Sequence, residues 1–301
     1  MRVAVSGASG LIGTALTAEL AAAGDEIVRL VRREARSPGE ISWDPSARLD
    51  PAALTSIDAV IHLSGAPIAA KRWTPARKAE LRASRITSTR TLATAMAAAA
   101  PPPRVLICGS AIGYYGDTGD RVVGESGQPG TGFLPDLVRD WEAAAEPAAE
   151  AGVRVACIRS GVVLAAEGGM LARLMLPFRL GLGAKIGSGS QYLSWISLTD
   201  EVRAIKFALD RSDISGPVNL TAPEPVTNAE FTKALAKVLA RPSVFTLPSP
   251  VLRAALGELA SELLASARVV PARLLEAGFT FRDPDVRAAL TPIVAAHGAN
   301  S

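Results

Sequence analysis

Residues 3–16 read VAVSGASGLIGTAL, and this stretch decides the fold. A short β-like run ends in a loop with glycines at positions 7, 10 and 13, and an apolar helical pattern follows at once. The first glycine permits a tight turn, the second lets the backbone approach a pyrophosphate, and the third lets the helix lie close to the strand. The helix N-terminus then faces the anion. This order predicts a dinucleotide-binding loop rather than a glycine-rich turn without a ligand, and its candidate residues are Gly7, Ser9, Gly10, Leu11, Ile12 and Gly13.

The chain continues as an alternation of short apolar runs and longer helical segments. Nearly continuous Val, Ile and Leu in the short runs is typical of strands buried on both faces of a parallel sheet. Helices between such strands form crossover connections, so we predict an α/β fold with a Rossmann-type doubly wound parallel sheet. The predicted strands are residues 2–7, 26–33, 58–65, 101–110 and 153–161, and the long predicted helices are residues 11–24, 75–100 and 133–152.

The sequence changes character near residue 165. Beyond it, glycine-rich and proline-rich stretches alternate with short amphipathic helices, such as residues 199–209 and 227–240. We therefore predict a Rossmann domain over residues 1–165, to whose sheet later segments could return. A smaller α/β domain over residues 166–301 is expected to bind the substrate.

The end of the second strand bears on the choice of cofactor. An NAD site has an acid there to bind the ribose 2′-hydroxyl, whereas this chain has Val31, Arg32 and Arg33. Two guanidinium groups suit a 2′-phosphate, because their planar forks bind phosphate oxygens bidentately. The absence of an acid and the presence of two arginines favour NADP. The alternative is a pair of solvated arginines on a loop.

The end of the third strand offers a second contact with the same ligand. Leu63, Ser64 and Gly65 follow that strand and would pass beneath the adenosine through backbone contacts. The alternative is a simple turn from strand to loop.

Composition argues against several other functions. The 301 residues carry a net charge of +3 without a dense basic run, so no nucleic-acid partner is expected. No apolar stretch reaches about 18 residues, so no membrane partner is expected, and the N-terminus lacks a signal-peptide pattern. The two cysteines lie in β-like runs and the two histidines are far apart, which indicates buried thiols and no metal site. We expect a cytoplasmic monomer or homodimer that acts on a small molecule.

Longer stretches across nearly the whole chain match a known family. They are GASGLIGTAL, KRWTPARKAELRASR, GYYGD, DLVRDWEAAA, RSGVVL, LPFRLGLGAKIGSGSQYLSWISLTD, NLTAPEPVTNAEF and ARVVPARLLEAGFTF. Together they resemble the nucleoside-diphosphate-sugar-epimerase-like family, an extended or atypical branch of the short-chain dehydrogenase/reductase superfamily with its own C-terminal domain. The resemblance implies NADP contacts at Val31, Arg32, Leu63, Ser64, Glu80, Arg85 and Val163. From the residues alone, Glu80 and Arg85 would be interpreted as a salt-bridged helix face.

The resemblance also defines what the chain lacks. Enzymes of this superfamily use a Ser or Thr and a Tyr-x-x-x-Lys pair, in which the tyrosine transfers a proton and the lysine lowers its pKa. In the corresponding helix, alignment places Leu134 and Val138 at the tyrosine and lysine positions, and a shift of one residue places Phe133 and Leu137 there. The hydroxyl position falls on Ala111, with Ser110 one place away. The usual dyad is therefore not encoded.

Two adjacent tyrosines in the GYYGD stretch are the remaining candidates for an acid. Tyr115 matches the family's Tyr-Gly motif after the fourth strand, and Tyr114 precedes it. In an extended segment neighbouring side chains point to opposite sides, so Tyr115 is the better packing residue and Tyr114 the better acid. The alternative is that both rings only pack. The sequence thus predicts an NADP-dependent oxidoreductase or epimerase-like enzyme, with Tyr114, Tyr115 and Ser110 as candidate catalytic residues. The alternative is a non-catalytic NADP-binding sensor or regulator.

Overall fold

The fold was analysed in a computed structural model that describes residues 1–299, with side chains for residues 1–296. The strands, in chain order, are β1 (Arg2–Ser6), β2 (Glu26–Val31), β3 (Glu40–Ser42), β4 (Ala59–His62), β5 (Val105–Ala111), β6 (Val122–Val123), β7 (Arg154–Ser160), β8 (Val162–Leu164), β9 (Ala184–Ile186), β10 (Tyr192–Leu193), β11 (Trp195–Ser197), β12 (Gly216–Leu220), β13 (Val226–Thr227), β14 (Phe245–Leu247) and β15 (Arg268–Val269).

The helices alternate with these strands in the first half of the chain and dominate the end. They are α1 (Leu11–Ala22), α2 (Pro75–Ala98), α3 (Phe133–Ala143), α4 (Glu146–Glu150), α5 (Gly169–Arg179), α6 (Leu198–Asp210), α7 (Asn228–Val238), α8 (Ser249–Leu256), α9 (Leu259–Leu264), α10 (Ala272–Glu276) and α11 (Val286–Ala299). Short 3₁₀ turns occupy Pro51–Leu54 and Ile112–Tyr115. Within the described residues, no helix combines the length and the apolar character needed to cross a bilayer.

Seven strands form one sheet in the order β12-β7-β5-β4-β1-β2-β3. The pairs β1–β2, β1–β4, β2–β3 and β4–β5 are parallel. The chain leaves β1 toward β2 on one side and later returns to β4 on the other side, so the strand order reverses between β1 and β4. The predicted α/β class with a doubly wound parallel sheet is confirmed, and the reversal is the place where open sheets of this kind bind ligands.

Local signals in the sequence set the helix ends as predicted. Gly24 follows α1 with a φ of 86°, a left-handed conformation that glycine adopts at little cost. Thr74 caps α2, because its hydroxyl accepts a hydrogen bond from the Arg77 amide, and Pro75 occupies the first helical position. The predicted helix over residues 133–152 is divided into α3 and α4.

The chain divides into two units, each assembled from three segments. The first unit comprises Met1–Ala111, Asp136–Arg159 and Val202–Val218. The second comprises Ile112–Pro135, Ser160–Glu201 and the chain from Asn219 onward. The predicted boundary near residue 165 follows chain order, whereas these units are interleaved.

Each unit has its own apolar core. The first unit is built on the seven-stranded sheet, and its buried side chains include Val28, Leu30, Leu54, Val60, Leu92, Met96, Leu106 and Trp141. In the second unit, two-stranded pairs such as β11–β8 and β14–β9 accompany a core that includes Leu164, Met175, Phe178, Trp195, Phe231, Leu235 and Leu290. Burying these side chains supplies the main favourable free energy of each unit.

Candidate functional site: a groove at the strand reversal

At Gly7 and Gly13 the loop after β1 has no room for a side chain. Gly7 has a φ of 73°, and a Cβ there would lie 2.8 Å from the carbonyl carbon of Leu63. A Cβ on Gly13 would lie 2.1 Å from the Gly7 carbonyl oxygen, so α1 rests directly on the loop. Gly10 precedes α1 without a capping side chain, which leaves the first amides of the helix open to an anion. This open backbone cradle fits a pyrophosphate.

A groove of about 1330 Å³ in the first unit opens beside this loop. It brings together ten of the predicted cofactor residues, namely Gly7, Ser9, Gly10, Val31, Arg32, Arg33, Leu63, Ser64, Gly65 and Glu80. Five others do not line it: Leu11, Ile12 and Gly13 belong to the start of α1, Arg85 lies behind the wall, and Val163 lies outside the first unit. Val163 is a half-buried residue of β8 in the second unit.

The two arginines after β2 have different surroundings. Arg32 is exposed, and its guanidinium makes no ion pair or hydrogen bond within the described part of the chain. Arg33 instead donates two hydrogen bonds to the Glu40 carboxylate, with N–O distances of 2.8 and 2.6 Å. This pairing, together with the Arg36 amide, lowers the pKa of Glu40 to about 2. Arg32 is therefore the arginine of the pair that is available to an anionic ligand.

The groove does contain a carboxylate, although the residues at the end of β2 itself are Val31, Arg32 and Arg33. Glu40 lines the groove and comes from β3, the neighbouring strand. The three-residue strand β3 lies in a polar stretch with no clear apolar pattern, so nothing in the sequence placed Glu40 here. Trp43, Thr14 and Ser88 also line the groove and were not predicted.

Side chains of α2 hold the loop after β4 in place. The Arg85 guanidinium donates to the Ala66 carbonyl at 3.0 Å and lies 5.2 Å from the centre of the Trp141 ring. Burial lowers the pKa of Arg85 to about 10, with a smaller contribution from nearby Arg77. Arg85 thus contacts the wall of the groove from behind and does not line it.

Glu80 is held on the groove wall by the same helix. Arg77 donates to the Glu80 carboxylate at 2.6 Å and also to the Pro67 carbonyl, and both Glu80 and Pro67 line the groove. The hydrogen bond from Arg77 lowers the pKa of Glu80 and keeps it ionised. An ionised carboxylate is an acceptor only, so Glu80 can bind a hydroxyl or amide of a ligand.

A buried hydrogen-bond chain underlies the groove. The Ser6 hydroxyl lies 2.5 Å from Nδ1 of His62, and Nε2 of His62 lies 3.0 Å from the Ser88 hydroxyl. Ser88 donates to the Ser84 carbonyl at 2.8 Å, so it accepts from the imidazole N–H, and Ser6 donates to Nδ1. Burial lowers the pKa of His62 to about 3. A neutral imidazole therefore ties β1, β4 and α2 together.

The candidate Ser110 belongs to a second buried network in the first unit. Its hydroxyl donates to the Glu142 carboxylate at 2.6 Å. Arg159 binds the same carboxylate through two N–H groups, each at 2.7 Å. Because Ser110 and Arg159 both donate to it, Glu142 is a fully paired anion.

The two tyrosines lie in the second unit, in the 3₁₀ turn Ile112–Tyr115, and not in an extended segment. The argument that their side chains point to opposite sides is therefore wrong, because a 3₁₀ turn rotates neighbours by about a third of a turn. Their rings meet edge to face at 5.3 Å. Tyr115 is buried and donates to Oδ1 of Asn219 at 2.8 Å, whereas Tyr114 is half-buried.

A buried acid that sequence reasoning missed also lies in the second unit. Glu201 near the start of α6 accepts a hydrogen bond from the Ser160 hydroxyl at 2.5 Å. Its second oxygen has no partner within the described residues. Burial raises the pKa of Glu201 to about 8, so this carboxyl group is protonated at neutral pH.

A glycine cradle at the strand reversal of a doubly wound sheet, beside a groove lined with arginines, defines a dinucleotide-binding α/β protein. Comparison with known proteins narrows this class. The model of the NAD-dependent epimerase/dehydratase family matches residues 3–220, and a domain of unknown function matches residues 247–293. The chain belongs to the NAD-dependent epimerase/dehydratase family, which confirms the resemblance drawn from its motifs.

Individual relatives extend the match over the whole chain. An epimerase family protein of Mycobacterium bovis is 52% identical over 290 residues, with 96% of each chain covered. The crystal structure of the human epimerase family protein SDR39U1 with NADPH is 36% identical, with a TM-score of 0.91 over 98% of this chain and 99% of that one. A nucleoside-diphosphate sugar epimerase structure from Corynebacterium glutamicum is 37% identical, with a TM-score of 0.82 over 98% of this chain and 58% of that one.

Proposed function

We propose that the chain binds NADP in the groove of the first unit. The observation that carries this proposal is the unpaired Arg32 at the end of β2, in the same groove as the glycine cradle after β1. A guanidinium without a carboxylate partner suits a 2′-phosphate, because it offers a fork of charged donors. The human relative solved with NADPH supports the same cofactor.

The remaining predicted residues take specific parts in this proposal. The backbone of the Gly7–Gly13 loop, with Ser9, would receive the pyrophosphate, and Leu63, Ser64 and Gly65 would contact the nucleoside. Glu80 would accept a hydrogen bond from a hydroxyl or amide of the dinucleotide. Arg85 would act through the Ala66 carbonyl, which it holds. For Val163, the family resemblance alone supports a contact with NADP.

We further propose an NADP-dependent oxidoreductase or epimerase-like reaction on a small or nucleotide-sugar-like substrate. With Leu134 and Val138 at the usual dyad positions, the proton must come from another group. The hydroxyls of Ser110 and Tyr115 already donate to Glu142 and Asn219. These contacts count against Ser110 and Tyr115 as the acid, and Tyr114 is a candidate because it directly precedes the motif tyrosine Tyr115.

The hydrogen bonds of Ser110 to Glu142 and of Tyr115 to Asn219 also support a second candidate function, a non-catalytic NADP-binding sensor or regulator. Two of the three candidate hydroxyls serve buried structural networks, and no lysine stands at the dyad position of α3. An enzyme would oxidise bound NADPH when a suitable metabolite is added, and the absorbance of the reduced nicotinamide would fall. A sensor would leave the absorbance unchanged across a broad metabolite panel.

Calorimetry with both dinucleotides tests the binding proposal. The wild-type protein should bind NADPH more tightly than NADH. Arg32→Ala should weaken NADPH binding by about 1.5–3 kcal/mol, the usual value of a hydrogen bond to a charged group, and leave NADH binding nearly unchanged. Equal affinity of the wild type for the two dinucleotides would show that the site does not select NADP.

A further inference from the structure

Glu40 brings a carboxylate into the groove from β3, beside the strand whose end carries the acid in an NAD-type site. Its strand, β3, pairs with β2 in register, with Glu40 opposite Arg29, and its side chain reaches the groove near the end of β2. An acid at this end of the second strand binds the ribose 2′-hydroxyl of NAD and repels the 2′-phosphate of NADP. A groove that prefers NADP therefore needs a way to cancel this charge.

Arg33 provides the cancelling charge. Its two terminal nitrogens bind the two Glu40 oxygens separately, Nη2 to Oε1 at 2.6 Å and Nη1 to Oε2 at 2.8 Å. The Arg36 amide adds a third hydrogen bond, to Oε2 at 2.8 Å. A bidentate pair of this kind has no net charge and uses the acceptors that a ribose hydroxyl would need. Among the described residues, the groove arginines of this region that make no ion pair are then Arg32, at the end of β2, and Arg29, opposite Glu40.

Arg33 is the more exposed partner of the pair, so we expect its replacement to leave the core of the first unit intact. The Arg33 side chain is 45% exposed and the Glu40 side chain 11% exposed, so the arginine covers the carboxylate from the solvent side. Without Arg33, Glu40 would remain in the groove as a carboxylate with one backbone donor, the Arg36 amide. An ionised carboxylate with free lone pairs accepts hydroxyl groups and repels phosphate.

We propose that the Arg33–Glu40 pair determines cofactor specificity: Arg33 neutralises a built-in NAD-type acid, and the chain prefers NADP only while Glu40 is covered. This inference rests on the proposed NADP site. It assigns Arg33 a part different from that of Arg32, because Arg32 would contact the 2′-phosphate and Arg33 would act on Glu40.

The test is the affinity of full-length Arg33→Met for NADPH and NADH, measured by calorimetry. We expect NADPH to bind about tenfold or more weakly, since a cation is lost and an anion is exposed, and NADH to bind about threefold or more tightly. Arg32→Ala weakens NADPH alone and cannot improve NADH. A gain in NADH affinity on loss of an arginine is not expected from a purely structural role.

Two further variants make the test specific. In Arg33→Met/Glu40→Gln the gain for NADH should disappear, because the ionised acceptor is gone. Arg36→Met is the matched control: it keeps the backbone amide that bonds to Glu40, and it removes a charge that acts on Glu40 more weakly than that of Arg33. It should leave both affinities within about twofold of the wild type. Circular dichroism establishes that each variant is folded.

Each contrary result has a distinct meaning. An NADH affinity of Arg33→Met that is equal to or weaker than the wild type overturns the proposal, as does a gain that survives Glu40→Gln. A wild-type protein that binds neither dinucleotide overturns the proposed function, and this inference with it, before any variant is made.

Discussion

His62 in the first unit and Glu201 in the second are both fully buried and both uncharged at neutral pH, yet their surroundings differ. Burial lowers the pKa of His62 to about 3 and raises that of Glu201 to about 8, because a low-dielectric interior disfavours either charge. Both nitrogens of His62 have serine partners. Glu201 has one serine partner and one oxygen without any within the described residues.

His62 therefore acts as a structural hydrogen-bonding residue, whereas Glu201 is a neutral group that becomes charged when the pH rises. The His62 chain is complete in one tautomer, so protonating the ring would force Ser6 to give up its donor role. The interior favours the neutral form of Glu201, since the ionised form would have one hydrogen bond and no ion pair within the described residues. The first network stabilises the sheet beneath the groove, whereas the second makes its unit sensitive to alkali.

The two groups therefore give opposite pH dependences. The folded-state pKa of His62 is lowered from 6.5, so its contribution to stability is present above pH 6.5 and is lost as the pH falls toward 3. The folded-state pKa of Glu201 is raised from 4.5, so its contribution is present below pH 4.5 and is lost as the pH rises toward 8. Between pH 4.5 and 6.5 the two effects oppose one another.

The largest expected effect comes from Glu201→Gln, which keeps the shape and removes the titration. The wild type should lose on the order of 4 kcal/mol of unfolding free energy between pH 5 and 8 relative to this variant. Urea denaturation at several pH values measures the difference. Glu150→Gln, at an exposed position in α4, is the control and should follow the wild type. Parallel profiles for Glu201→Gln and the wild type would mean that Glu201 does not titrate in this range.

His62→Leu should have the next largest effect. It removes both ring nitrogens and leaves the buried Ser6 hydroxyl without its acceptor, which should cost about 2–4 kcal/mol at pH 7. The variant should also lose the destabilisation that His62 causes in the wild type between pH 6.5 and 3. The same urea denaturation series measures both. A variant as stable as the wild type at pH 7 would contradict the view that the completed chain stabilises the sheet.

The smallest expected change in unfolding free energy comes from Tyr115. It shows whether removing a buried hydrogen bond in the second unit lowers stability, as it should for His62 in the first. Tyr115→Phe leaves the buried Asn219 acceptor unpaired and should cost about 1 kcal/mol of unfolding free energy. Tyr192→Phe is the control, because the Tyr192 hydroxyl makes no hydrogen bond within the described part of the chain.

Tyr114→Phe should leave NADPH affinity unchanged and abolish turnover of any substrate that the metabolite panel reveals. Full turnover in both Tyr114→Phe and Tyr115→Phe would exclude the pair as the acid.

The sequence by itself determined the class of fold and two parts of the candidate site, the glycine loop and Arg32. The glycine spacing over residues 7–13, the continuous apolar strands, the start of a helix at Pro75 and the end of another near Gly24 are local signals, and local backbone preferences decide such features. The parallel strands β1, β2, β4, β5 and β7 and the helices α1 and α2 accordingly lie where their patterns predict them. Arg32 was likewise predicted from its position directly after an apolar strand.

Only the tertiary structure decided the features that depend on pairing between distant segments. The edge strand β3 has three residues, and β12 (Gly216–Leu220) includes a glycine, a proline and an asparagine, so neither carries a clear strand pattern before it pairs with a neighbour. The 3₁₀ turn at Ile112–Tyr115, the interleaving of the two units and the burial of His62 and Glu201 depend on contacts between distant segments in the same way. Glu40 is the decisive case. In sequence it is one acid in a polar loop, and its place beside Arg33 follows from the register of β3 against β2, which side-chain packing and backbone hydrogen bonding set together.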